Sequence, residues 1–276
     1  MRAIGFIPVI LVFAQAPWAC EATREQRAPA HPNGLVWVPI EGGSFEMGSV
    51  AWSDERPVHR VAVASFEMTR TEITVAQYRE CVDAGACTAP SGGGPYENWN
   101  QSGFDDRPVN AVGWGQAVAF CRYIGGRLPT ESEWEYAARG DQNRTYPWGE
   151  EPPDCERVVM ADTNGVAGCG TGGTLPVCSR AEGNTPEGLC DMSGNLWEWV
   201  EDYYRNTYNC EARPGAHNCE DGTAAPTDGS VWGDTGSFRV ERGGCFNADA
   251  FYQRSSARLR VTPTKQSYGL GIRCAR

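Results

Sequence analysis

The chain has 276 residues, 41% hydrophobic and 21% charged, which excludes general disorder and supplies ample material for a hydrophobic core. Its 33 Gly and 18 Pro are too many for a helical bundle and predict a fold dominated by loops and turns. A formal net charge of −11 argues against nucleic acid as a partner, because phosphate contacts need clustered Lys and Arg.

Arg2 followed by the apolar run from Ile4 to Phe13 reads as a signal peptide. Ala19-Cys20 resembles a bacterial lipobox, with Pro17 where an aliphatic residue is usual, so Cys20 is a candidate for lipidation. Ordinary cleavage near Ala19 is the alternative. The expectation is an exported protein, lipid-anchored in a bacterial cell envelope or periplasmic or secreted. It divides into a signal peptide over 1–19, a flexible tether over 20–34 and one domain over 35–276. No later apolar run reaches the roughly 18 residues of a membrane span, so a membrane enters only through an N-terminal lipid.

The alternating run Leu35–Pro39 predicts a first strand and Ser44–Met47 a second, with Gly42-Gly43 as the turn between them. Val61–Phe66 predicts a third. A first helix runs from the N-cap Thr74 to about Ala84, before Gly85. A second spans about Gln116 to Ile124, with Ala117, Phe120 and Ile124 on one face. A third opens on a capping box, Thr130 with Glu133, and stops at Gly140. Trp134, Ala137 and Ala138 form its buried stripe. Periodicity then weakens: 141–195 and 205–237 read as long loops that need other fasteners. Two last strands are expected around Phe238–Val240 and Tyr268–Ile272.

Twelve cysteines imply an oxidising compartment. Spacing favours Cys81–Cys87, Cys155–Cys169, Cys178–Cys190 and Cys210–Cys219, because short loops cost least to close. Cys121 and Cys274 would join the second helix to the last strand. With Cys20 lipidated, Cys245 is left over. There is no CxxC and there are three His, which argues against zinc. Gly168–Gly173 formally matches GxGxxG, but a dinucleotide loop needs a strand before it and a helix after it, and neither is evident.

Several segments, in this order, resemble the formylglycine-generating enzyme family, also called the sulfatase-modifying factor domain. They include Gly42-Gly-Ser-Phe-Glu-Met-Gly48, Arg107-Pro-Val-Asn110, Gly126-Arg-Leu-Pro-Thr-Glu-Ser-Glu-Trp-Glu-Tyr-Ala-Ala-Arg-Gly140, Gly194-Asn-Leu-Trp-Glu-Trp199, Arg242-Gly-Gly244 and Gly269-Leu-Gly-Ile-Arg-Cys274. The resemblance covers about residues 35–276. It implies a mixed, loop-rich α/β domain of C-type-lectin-like fold, stabilised by disulfides. The family's enzymes oxidise a sulfatase cysteine to formylglycine with Cu(I) held by two cysteines, since thiolates are soft ligands that select Cu(I). Those positions are Ala248 and Gln253 here, and the serine after Gly-Gly is Cys245. Copper is therefore not expected. The resemblance also implies a calcium site made by the Asp191 and Glu198 carboxylates and the Gly194 and Leu196 carbonyls, hard oxygen donors suited to that ion. The alternative for Glu198 is a surface ion pair.

Three functions follow. The first is an exported family member without copper oxidase activity, a monomeric module for an unknown protein, peptide or glycan. The second is a formylglycine-generating oxidase acting on a sulfatase. The third is thiol chemistry at Cys245, whose nucleophilicity would need a lowered pKa; Arg242 is near in sequence. Trp197, Trp199, Tyr203 and Tyr204 read either as groove-lining or, more simply, as core.

Overall fold

A computed structural model describes Met1 and residues 34–91, 93–209 and 224–276. The signal peptide, most of the tether, Cys20 and the Cys210–Cys219 pair lie outside the described residues.

Strand β1 (Trp37–Ile40) pairs antiparallel with β4 (Phe66–Thr69), and β2 (Gly43–Met47) with β3 (His59–Val63). The single strand expected over Val61–Phe66 is thus two strands in two sheets. The break falls at Ala64-Ser65, where Gly42 donates its N–H to Ser65 Oγ at 2.9 Å. A Cβ on Gly42 would lie 2.6 Å from Val63 O and from Ser65 N, so the crossing needs glycine.

The helices follow their caps. Helix α1 (Val75–Asp83) starts at Thr74, which accepts from Gln77 N at 3.2 Å. Helix α3 (Glu131–Arg139) carries the reciprocal Thr130–Glu133 capping box and ends at Gly140 (φ 65°). Helix α2 (Trp114–Tyr123) begins two residues earlier than its apolar stripe suggests, because Gly113 serves as the N-cap and donates to Gln116 Oε1 at 2.9 Å.

A four-stranded sheet forms the second half, in the order β7 (Arg258–Val261), β6 (Arg239–Arg242), β5 (Trp197–Tyr203), β8 (Leu270–Gly271). Here β5 is antiparallel to β6 and parallel to β8. Neither β5 nor β7 was expected. One face of β5 carries Trp197 and Trp199 into the core around α1 and α2. The other carries Glu198 and Asp202, which are as buried as the tryptophans. Alternation between apolar and charged residues here marks two kinds of interior rather than inside and outside.

Around that second face the charges pair. Arg242, fully buried, binds Glu135, and Arg258 binds Glu131 at 2.7 Å. Glu135 also accepts from Arg139 at 2.7 Å and from Gly48 N at 2.8 Å. Helix α3 is consequently buried all round, well beyond its apolar stripe. Segment 272–276 threads between the halves: Thr69 N bonds Cys274 O, Ile73 N bonds Ile272 O and Arg127 N bonds Ala275 O, each at 2.8 to 2.9 Å. Four of the five expected disulfides are present: Cys81–Cys87, Cys121–Cys274, Cys155–Cys169 and Cys178–Cys190. No helix among the described residues is long and apolar enough to cross a membrane.

Candidate functional site

The segment after β6 turns sharply at Gly243-Gly244, both at positive φ, and runs through Cys245 into a short 3-10 turn over Ala250–Gln253. Asp249 caps that turn, its carboxylate accepting from Phe251 N at 2.9 Å. The segment walls an open cleft of about 440 Å³ lined by Trp197, Cys245, Asn247, Ala248, Asp249 and Tyr252, with Ala161, Gly165 and Leu259 completing it. Trp197 therefore serves both earlier readings: it packs into the core and also lines the cleft. Trp199 belongs to the core alone, its indole bonded to Val112 O at 2.9 Å.

Cys245 is free among the described residues and is buried. Its Sγ donates to Asn247 Oδ1 at 2.9 Å. Burial pushes the thiol up to about 12 and the nearby Glu241 carboxylate adds to the rise; Asn247 and Ala248 N–H groups and the Trp197 side chain offset it only in part. Arg242, the cation adjacent in sequence, points to the opposite face of the sheet, toward Glu135 and the carbonyls of Ser256 and Ala257. The group that would make Cys245 a thiolate faces away from it.

Ala248 lines the cleft and Gln253 is buried below it. The Gln253 amide donates to the carbonyls of Cys245, Ala248 and Asp249 at 3.3 to 3.4 Å, so this residue braces the loop. Neither side chain is a soft ligand, and the one thiol here is protonated. This donor set does not suit Cu(I).

Asp191 and Glu198 fall into one buried cluster with Glu72, which sequence reasoning missed. Glu72 accepts from Asn195 Nδ2 and Leu196 N, both at 2.9 Å. Glu198 forms an ion pair with Arg273 at 2.8 Å and accepts from the Trp134 indole at 2.6 Å. The expected alternative for Glu198, an ion pair, is present, but both partners are completely buried. Burial, with Asp191 and Glu198 nearby, raises Glu72 well above the ordinary carboxylate range. Burial also pushes Asp191 to about 6, against the Cys178 N–H and Arg273. Asp191, Gly194 and Asn195 all have positive φ, so this loop is tightly turned. Glu72 lies in the short connection between β4 and α1, and no motif marks it.

Residues 22–276 match the family described as the sulfatase-modifying factor enzyme 1-like domain. The chain belongs to that family. Among its relatives is a formylglycine-generating enzyme of Streptomyces coelicolor, 31% identical over 96% of both chains. The formylglycine-generating enzyme of Bos taurus is 30% identical over 92% of this chain and 79% of the relative. Among solved structures, PvdO from Pseudomonas aeruginosa superposes with a TM-score of 0.71 at 22% identity, covering 90% of this chain and 99% of that one. That likeness establishes the fold.

Proposed function

We propose that this protein is an exported, disulfide-stapled member of the family that binds a ligand in the Cys245–Tyr252 cleft without copper-thiolate oxidation. What supports this reading is the side chain of Gln253, tied to three backbone carbonyls, together with Ala248, at the two positions where the resemblance puts the copper ligands. The ligand is a protein, peptide or glycan. The test is direct. The purified chain is incubated with Cu(I), oxygen and a peptide carrying Cys-x-Pro-x-Arg. No aldehyde is expected; its formation would overturn the reading and favour the alternative, an oxidase acting on a sulfatase. The alternative draws on the relatives named as formylglycine-generating enzymes.

Calcium is the metal that the family resemblance implies for the Asp191–Glu198 loop. Among the described residues no group of three or more acidic side chains is placed to hold a metal ion as it stands, and Glu198 is paired with Arg273 at 2.8 Å, so a cation there would compete with that arginine. The Asp191 and Glu198 carboxylates and the Gly194 and Leu196 carbonyls would hold it, and its role would be to stabilise the loop. A cation bound only by the folded state raises the melting temperature. Thermal melts in calcium and in chelator are expected to differ, with calcium the more stable; coincident curves would count against the site.

A further inference from the structure

The four described disulfides differ in where they sit. Cys81–Cys87 and Cys121–Cys274 have both residues buried, and Cys178–Cys190 has Cys190 buried. Cys155–Cys169 alone among them has neither residue buried; both are half-exposed. A bridge opens when a thiolate attacks one of its sulfurs, so access decides which bridge opens first.

This bridge also stands where its opening would be felt. It closes the segment 155–169, whose tip supplies Ala161 and Gly165 to the wall of the cleft. The base of the segment is fixed independently. Val158, Val159 and Met160 are buried, and Asn195 donates its N–H to Val159 O at 2.8 Å. The tip is held less firmly. Thr163, Asn164, Gly165 and Val166 are exposed, and only Ala167 packs, against the small cluster of Val159, Leu196 and Phe246. Two backbone hydrogen bonds tie the tip to the loop that carries Cys245: Ala161 N to Ala248 O at 3.0 Å and Gly168 N to Phe246 O at 2.6 Å. The return of the chain is fixed at Cys169, which holds a positive φ of 56° while its N–H donates to Met160 O at 2.8 Å. A non-glycine residue is costly in that conformation, and the bridge helps to impose it. Glycine fills five of the nine positions 165–173, so a released tip would gain much backbone freedom.

We propose that Cys155–Cys169 is a reducible bridge that sets access to the cleft. A dithiol is the reductant. Its thiolate attacks one sulfur of the bridge to form a mixed disulfide, and its second thiol displaces that bond. The dithiol leaves oxidised, and two electrons and two protons remain on Cys155 and Cys169 as thiols. The 161–168 wall then comes away from the Cys245–Ala248 loop, and the cleft widens onto the Cys245 thiol. The inference rests on reading the cleft as a ligand site, and it names what regulates entry.

The full chain is titrated with dithiothreitol without denaturant at about pH 8, and its thiols are mapped with N-ethylmaleimide and mass spectrometry. Cys155 and Cys169 are expected to label at about tenfold less reductant than the cysteines of the other three bridges. Once they are free, Cys245 should label about tenfold faster than in the untreated chain. The double variant Cys155→Ser with Cys169→Ser removes the bridge without reductant. In it, hydrogen exchange over 161–168 and labelling of Cys245 should both rise, while α2 keeps its wild-type exchange. Should that variant fail to fold, the partly reduced wild-type chain carries the comparison. A Cys155–Cys169 bridge that opens no earlier than the others, or Cys245 labelling unchanged once it is open, would overturn the proposal. Labelling is read without ligand, so its failure leaves the aldehyde assay and the reading it tests untouched.

Discussion

Glu135 shows what single residues contribute to this fold. Burial alone would raise its pKa, but Arg242 and Arg139 hold it below the ordinary range. Removing one member of a buried ion pair strands the others without water, which typically costs about 3–5 kcal/mol. Glu135→Ala should therefore lose about that much in a denaturant titration, because Arg242 and Arg139 both lose a partner. Replacing Glu135 and Arg242 together by apolar residues of similar volume should cost less than Glu135→Ala alone. Cys245 shows the opposite case: its thiol is protonated and enclosed, so its sulfur packs as a small side chain.

Among elements, α2 and segment 272–276 depend most on each other. Cys121–Cys274 closes a separation of 153 residues, the longest of the four bridges described. Loop entropy predicts that replacing both cysteines by alanine costs about 4–5 kcal/mol, read from the shift in the chemical-denaturation midpoint. The elements most legible in the sequence were those whose signals are local. Thr74, Thr130 and Glu133 fix helix starts through hydrogen bonds that span three residues. Strand β5 was not legible because Glu198 and Asp202 look like a solvent face while being buried against arginines from distant segments. The same reason hid Glu72, whose partners Asn195 and Leu196 lie over 120 residues away. The candidate site was half legible: the loop after Gly243-Gly244 could be placed from its motif, but Trp197 meets Tyr252 only once that loop packs beside β5.

At the scale of the molecule, the unpaired buried acids set a pH dependence. Burial, with Glu131 nearby, pushes Asp202 to about 7, and burial pushes Glu241 to about 7. Their ordinary values lie near 4. Between these limits the folded state holds protons that the unfolded state has released, so stability falls as pH rises through about 7. Thermal melts should show stability increasing from pH 8 toward 5, by up to about 1.4 kcal/mol per pH unit for each group. Glu241→Gln should flatten the slope. Below about pH 4 the trend should reverse as Glu135, whose pKa is lowered, takes up its proton and releases its arginines.

The passage of segment 272–276 between the two halves also bears on how the protein is made. Arg273 donates to the carbonyls of Thr69 and Arg70, more than 200 positions away in the sequence. During synthesis the first strands leave the ribosome long before these partners exist. Contacts of such separation slow folding, since the chain must close its largest loop before the contacts can stabilise it. The early half must wait with its apolar strands uncovered. A chaperone therefore meets an open chain, and only the arrival of a few late residues ends its access.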